Sequence, residues 1–401
     1  MLGLLPLSLY VHLPWCVRKC PYCDFNSHEY RDGRGGPPFE AYVDALLADL
    51  DVDLPLVWGR SVHSVFFGGG TPSLFPAAAI DRFLQGASAR LRFAPGCEIT
   101  LETNPGTAEH GRFEDYRRAG VNRISFGIQS FDDGCLQRLG RIHDSGQADA
   151  AVKLAQDAGF DNLNLDLMYA LPGQTLAMAE RDLERAFALQ PAHISHYQLT
   201  LEPNTVFAAR PPQGLPDEDA AWDIQEHCQA QLAEAGFAQY EISAYARPGR
   251  QCAHNLNYWR FGDYLGIGAG AHGKLTLPAA EGEGEGRILR RWKHKHPAAY
   301  LAQAGTAAAI GGDSEIPAAQ RPFEFMLNAL RLREGFALTA FETRTGLPRS
   351  AIAAPLARAV DAGWLVVAGD RVAPTEAGLR FANDAISLFL TGEDADGTVS
   401  A

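Results

Sequence analysis

Cysteine is scarce in this chain: seven in 401 residues, four of them (Cys97, Cys135, Cys228, Cys252) solitary. That is too few, and too uneven, for a disulfide scaffold, and it points to a reducing compartment, the cytoplasm. Positive charge is also short, 35 Lys and Arg against 48 Asp and Glu, net −13. Broad binding along a nucleic-acid backbone needs cationic surface, so that class is disfavoured. No apolar run approaches the roughly 18 residues of a membrane span. The start of the chain lacks the basic flank of a secretory signal. What remains is an ordinary globular composition with ample apolar residues for a core.

Six short apolar segments recur: Leu7–Leu13, Ser64–Gly69, Glu98–Thr103, Arg123–Ser130, Asn162–Tyr169 and His193–Leu201. β-branched and aromatic residues at alternate positions mark them as strands. Helical periodicity fills the gaps at Phe39–Leu54, Ala77–Leu91, Ala148–Ala158 and Leu176–Leu189. Alternating strands and helices imply parallel strands joined by right-handed crossovers, and six units suit a partial (β/α)6 barrel. Sites in such folds are built at the C-terminal strand ends. Residues 1–240 are read as this barrel, and 241–315 as an aromatic and glycine-rich extension with a connecting loop. In residues 316–390, three helices and two short strands resemble a winged helix. The tail, 391–401, is read as disordered, and the Glu–Gly alternation at 281–286 as a mobile loop. The helix expected at Arg349–Ala362 carries only two arginines, so a packing or lid role suits it better than DNA recognition.

Just after the first strand comes Cys16-Val-Arg-Lys-Cys20-Pro-Tyr-Cys23. Three close thiolates on a loop suit three irons of a cubane, leaving a fourth iron open to a ligand. A zinc knuckle with a distant fourth ligand is the alternative; it favours paired cysteines, and no second pair exists. Gly68-Gly-Gly-Thr-Pro72 follows the second strand, where bare backbone can approach a ligand, and no lysine follows at P-loop spacing. Glu102, Gln129 and Asp166 then end successive strands. With these motifs the chain resembles the radical S-adenosylmethionine superfamily, in the branch that holds oxygen-independent coproporphyrinogen III oxidase and the haem chaperone HemW. The resemblance runs from Leu9 to about Leu390. It implies a [4Fe–4S] cluster on Cys16, Cys20 and Cys23. It also implies an S-adenosylmethionine pocket formed by Tyr10, Tyr22, Gly69, Gly70, Thr71, Glu102, Gln129, Arg141 and Asp166. Ala170 departs from the pattern, which has Gly before Leu-Pro.

Two features divide the branch. Phe25 stands where the oxidase type carries a fourth cysteine, and the first strand begins within ten residues of Met1. Downstream, His254-Asn-Leu-Asn-Tyr258-Trp259 matches the H-N-x-x-Y-W motif of the chaperone type, implying haem contact by His254, Tyr258 and Trp259. Imidazole is a common haem ligand, and aromatic rings pack on porphyrin faces. The densest basic run, Arg290–Pro297, is either a solvated loop or a seat for haem propionates. The resemblance therefore implies a haem-trafficking protein, cytoplasmic or peripheral to the membrane during delivery. It would pass haem to respiratory proteins, and it admits a homodimer. The alternative is an oxidase-type enzyme, and an electron donor is required only if radical chemistry is retained.

Overall fold

The computed structural model describes residues 2–30, 37–106, 113–279 and 286–390. The expected tail and residues 281–285 of the expected mobile loop lie outside that set. All six expected strands form: β1 (Leu7–Leu13), β2 (Ser61–Gly69), β3 (Arg92–Thr103), β4 (Arg123–Gln129), β5 (Leu163–Tyr169) and β6 (His193–Gln198). They lie side by side in sequence order, all parallel, with helices such as Phe39–Asp53, Ala77–Ser88, Ser145–Asp157 and Leu176–Ala188 in the crossovers.

The sheet does not stop at six. Beyond β6 come two short antiparallel strands, β7 (Ala238–Glu241) and β8 (Ala244–Ala246). On the other edge β9 (Asp263–Ile267) pairs parallel with β1. Then β10 (His272–Leu277), β11 (Arg287–Lys293) and β12 (Ile310–Glu315) continue antiparallel. The result is one open twelve-stranded sheet, ordered β12-β11-β10-β9-β1-β2-β3-β4-β5-β6-β8-β7.

Period-two alternation divides the barrel strands into two faces. Leu9 and Val11 of β1, Val65 and Phe67 of β2, Ile124 and Phe126 of β4, and Leu163 and Leu165 of β5 are buried in the core formed with the crossover helices. The alternate positions are polar and bond one another inside: Ser8 to Ser64 (2.7 Å), Asn164 Nδ2 to Asp166 Oδ1 (2.8 Å), Ser125 Oγ to Asp166 Oδ2 (3.1 Å) and Ser195 Oγ to Asn164 Oδ1 (3.1 Å). The barrel interior is thus a hydrogen-bonded polar column, and its upper end opens into the site.

The first half of the basic run Arg290–Pro297, Arg290–Lys293, is strand β11 and not a solvated loop, because alternate cations meet buried acids. Lys293 Nζ lies between Asp49 and Asp53 (2.7 Å to Asp53), two acids one turn apart on helix Phe39–Asp53. Arg291 pairs with Asp53 and Asp313, and Arg290 with Glu324. These three cations are committed to the fold, which removes them from a propionate seat.

The C-terminal segment has its own apolar core around Phe325, Met326, Phe341, Ile352 and Val372, with a small antiparallel sheet of Phe336–Ala337, Arg371–Pro374 and Leu365–Ala368. Arg349 pairs with Glu342, and Arg358 donates to the Leu388 carbonyl. The expected helix Arg349–Ala362 begins as a 3-10 turn and continues as Ala353–Asp361, with both its arginines exposed and engaged in those bonds. Among the described residues no helix is long and apolar enough to cross a membrane.

Candidate functional site

The strand ends converge on a cavity of about 520 Å³. Cys16, Cys20 and Cys23 line it together with Tyr22, Gly69, Gly70, Thr71, Glu102, Gln129, Arg141 and Asp166. Residues as distant in the chain as Cys16 and Asp166 are brought together because each faces the same end of the parallel sheet, from a strand or from the loop that follows one. Glycine is required locally. A Cβ on Gly70 would stand 2.5 Å from the Trp15 carbonyl, and Gly69, at φ +115°, would drive one into the His12 ring. With neither Cβ present, the Gly70 and Thr71 N–H groups donate to Leu13 and Trp15 (2.8 and 2.7 Å), locking the cysteine loop to the end of β2.

Each sulfur has a hydrogen-bond partner: Thr71 Oγ1 at Cys16 (3.6 Å), Arg141 Nη1 at Cys20 (3.5 Å) and Ser27 Oγ at Cys23 (3.7 Å). Among the described residues no group of His, Cys, Asp and Glu is placed to hold a single metal ion. The three thiols share one chamber wall, as three corners of a cubane would require, and this chemistry fits the cluster better than a zinc knuckle. Burial pushes the Cys16 thiol up to about 11, so a thiolate that held a metal here would need the metal's own charge.

Arg141 is a half-buried cation of this chamber. Besides Cys20 it donates to Asn104 Oδ1 (2.6 Å) and the Gly127 carbonyl (2.5 Å). Asn104 in turn donates to Thr71 Oγ1 (2.9 Å). Glu102 is raised to about 8 by burial and by the nearby Asp166. Asp166 is also raised by burial, against hydrogen bonds from Asn164, Ser195 and Ser125. Two neighbouring acids at one chamber wall, at least one carrying a proton near neutrality, suit the hydroxyls of a sugar. Gln129 ends β4 at φ +74° and accepts from Tyr197 Oη (2.8 Å). Asn104 and Tyr197 escaped the sequence reading. Asn104 lies two residues beyond Glu102 in the same motif, and Tyr197 continues the run of polar strand ends onto β6.

Tyr10 does not line this chamber. Its hydroxyl bonds His12 Nδ1 (2.9 Å), and it faces a second cavity of about 1040 Å³. The two cavities meet at Cys23, Gly69 and Glu102. Between them stands the seven-residue helix Ala253–Trp259. Asn255 and Trp259, one turn apart, line the cluster chamber; His254 and Tyr258 line the second. The helix start is held by Glu98, whose Oε1 accepts from the Ala253 and His254 N–H groups (3.0 and 3.3 Å). Asn257 fixes its other end through Ser8 Oγ (3.0 Å) and the Asp263 carbonyl (2.7 Å).

His254 Nδ1 and Trp259 Nε1 are buried with no hydrogen-bond partner among the described residues. Burial, then Arg123, holds the His254 imidazole down near 4, so the ring is neutral and its nitrogen lone pair is available to a metal. Arg331 of the C-terminal segment lies over the Trp259 ring (4.3 Å) and reaches Glu241 Oε2 (3.3 Å), another residue of the cluster chamber. The solitary cysteines 97, 135, 228 and 252 are all buried away from the triad.

Residues 10–186 match the Radical SAM superfamily model, and residues 316–381 match the HemN C-terminal domain. The heme chaperone HemW of Escherichia coli is 50% identical over 97% of this chain and 100% of its own length. That of Haemophilus influenzae is 50% identical over 97% and 99%. The chain belongs to the heme chaperone HemW family. The match also holds at distance, with the HemW of Mycobacterium tuberculosis 34% identical over 96% of this chain. The solved coproporphyrinogen III oxidase (HemN) from Escherichia coli superposes with a TM-score of 0.79, covering 96% of this chain and 90% of that one at 24% identity. This chain and that oxidase therefore share a fold.

Proposed function

We propose that this chain binds haem and delivers it to haem-requiring respiratory proteins, on a scaffold that holds a [4Fe–4S] cluster and S-adenosylmethionine. The observation that carries the reading is the helix Ala253–Trp259. It presents an unpartnered, neutral imidazole beside the cysteine chamber, in a chain half identical throughout to named heme chaperones.

In this reading Cys16, Cys20 and Cys23 hold the cluster. When bound, the cluster offers an open iron to the amino and carboxylate groups of S-adenosylmethionine and an electron to its sulfonium. Arg141 meets the carboxylate and offsets the charge of Cys20. Gly69, Gly70 and Thr71 present backbone to the methionyl group, and Glu102 and Asp166 accept from ribose. Gln129 and Tyr22 complete the wall, while Tyr10 acts from the neighbouring cavity through His12. His254 contacts haem iron, with Tyr258 beside it and Trp259 on the cluster side. Residues 1–240 thus carry the cluster and S-adenosylmethionine, and 241–315 carry the haem helix. Residues 316–390 brace that helix through Arg331. The protein works in the cytoplasm and meets its acceptors at the membrane surface.

The alternative is oxidase-type decarboxylation of coproporphyrinogen III. Phe25, 60% exposed at the cluster loop, supplies no fourth thiol there. One anaerobic experiment separates the two: reconstitute the cluster, add S-adenosylmethionine and reductant, and follow coproporphyrinogen decarboxylation alongside haem titration. Stoichiometric haem uptake without turnover is expected. Robust turnover overturns the chaperone reading.

A further inference from the structure

The second cavity has a composition of its own. At about 1040 Å³ it is larger than the cluster chamber and lies at the upper end of the range of small-molecule sites. Three tyrosines, Tyr10, Tyr258 and Tyr264, supply flat faces. The rings of Tyr258 and Tyr264 lie 5.2 Å apart, and Tyr10 lies 6.1 Å from the His254 ring. Such walls suit a broad planar molecule.

His254 has company on this wall. His272, the first residue of β10, faces the same cavity. Its backbone is fixed by pairing with Trp292 on β11, and its ring stacks on that indole (centroids 6.3 Å, planes 23° apart). Among the described residues the ring makes no hydrogen bond, although it is well oriented. By contrast His12, which also faces the cavity, is fully used: one nitrogen meets Tyr10 Oη and the other the Asn26 carbonyl (2.9 Å). His272 is therefore an oriented imidazole with no structural duty of its own.

The cations sort in the same way. Lys19 is committed to the carbonyls of Phe25 and Ser27, and Arg290, Arg291 and Lys293 to carboxylates. Lys295, two residues past β11, lines the cavity, and its ammonium makes no hydrogen bond or ion pair among the described residues. A planar aromatic seat, a spare imidazole and a spare ammonium match a flat ring with a metal at its centre and carboxylates on its edge. That is an iron tetrapyrrole with propionates.

We propose that this second cavity is the tetrapyrrole seat, with the His272 imidazole as a ligand to the iron and Lys295 as the partner of a propionate. The proposal rests on the haem-binding reading above and adds to it a chamber, a second imidazole and a cation. Because the cavity shares Cys23, Gly69 and Glu102 with the cluster chamber, bound haem would be walled in part by a cluster ligand, Cys23.

The test uses the full chain with its cluster reconstituted, titrated separately with ferric haem, metal-free protoporphyrin and the dimethyl ester of haem. Circular dichroism and cluster absorbance serve as controls for folding. His272→Ala is expected to weaken haem binding about tenfold, the loss of roughly one good interaction, to alter the haem absorption spectrum, and to leave protoporphyrin affinity unchanged. His272→Met is expected to restore binding with a shifted spectrum. Lys295→Glu is expected to weaken free-acid haem and not the ester. Equal losses for haem and protoporphyrin in His272→Ala would overturn iron ligation by His272. If both variants match the wild type while His254→Ala loses haem, His272 and Lys295 are removed from the seat, the proposal is overturned and the haem reading survives. If the wild type takes up no haem, the haem reading itself fails.

Discussion

Replacing Lys293 with Met should be the most damaging single change far from the cysteines. The Lys293 ammonium is fully buried between Asp49 and Asp53, whose side chains are 1% and 0% exposed. Removing it affects the two acids unequally. Asp53 keeps Arg291. Asp49 keeps only the Tyr300 hydroxyl (2.8 Å) and the Gly268 N–H (3.3 Å), neither of which carries charge. Breaking a buried pair on one side typically costs about 3–5 kcal/mol, because the stranded charge stays desolvated. The loss also has a pH signature. Burial already raises Asp49 above its ordinary 3.8, and without the lysine it rises further. An acid whose folded pKa lies above its unfolded value binds more protons when folded, so stability falls as pH climbs through that interval. Urea unfolding of Lys293→Met against wild type, at pH 5 and pH 8, should show the larger deficit at pH 8. A deficit below about 1 kcal/mol at pH 8, or one that grows toward acid, would refute the reasoning. Asp49 also accepts from the Gly268 N–H, two residues before Gly270 of the second cavity, so under the proposed seat haem affinity should fall with stability.

Three further outcomes follow from geometry already described. Ala170 sits at φ +57°, which explains why the family pattern has Gly there; Ala170→Gly should stabilise by about 0.5–1 kcal/mol in urea unfolding. Glu102→Gln should stabilise the ligand-free protein by on the order of a few kcal/mol at pH 8.5 and by much less at pH 5, since Glu102 is raised from 4.5 to about 8 and its cost appears as pH rises across that window; equal effects at both pH values would contradict it. Glu98→Ala strips the helix Ala253–Trp259 of its N-terminal acceptor and should cost about 1 kcal/mol together with a measurable drop in haem affinity; unchanged haem titration would separate the helix from haem.

The sequence made the barrel readable because its strands alternate so cleanly. In Asn164-Leu-Asp-Leu, every second residue is core and every other one lines the polar interior, so counting puts Asp166 on the interior face, although it lies in the middle of Leu163–Tyr169 and not at the strand end expected for it. The cysteine loop and the glycine turn were legible for a similar reason: their contacts are local to one strand end. What lies past residue 240 was harder. Arg290–Pro297 reads as a solvated loop or a propionate seat because the partners of Arg291 and Lys293, Asp49 and Asp53, are some 240 positions away on a helix where they look like an exposed face. Only the fold shows that the two charged sets neutralise one another in the core. The placement of His254 and Trp259 on opposite chambers was equally hidden. A helix of seven residues carries no periodic signal long enough to say which face meets which cavity.

That short helix also sets a rule for what the chain can tolerate. Asn255 and Trp259 belong to one cavity, His254 and Tyr258 to the other, and Glu98 and Asn257 clamp both ends. Adding or deleting one residue between 253 and 259 turns every later side chain by about 100° about the axis. The indole would swing out from under Arg331 and the phenol out of its cavity. Length, more than the identity of any one residue, is the quantity this segment must preserve.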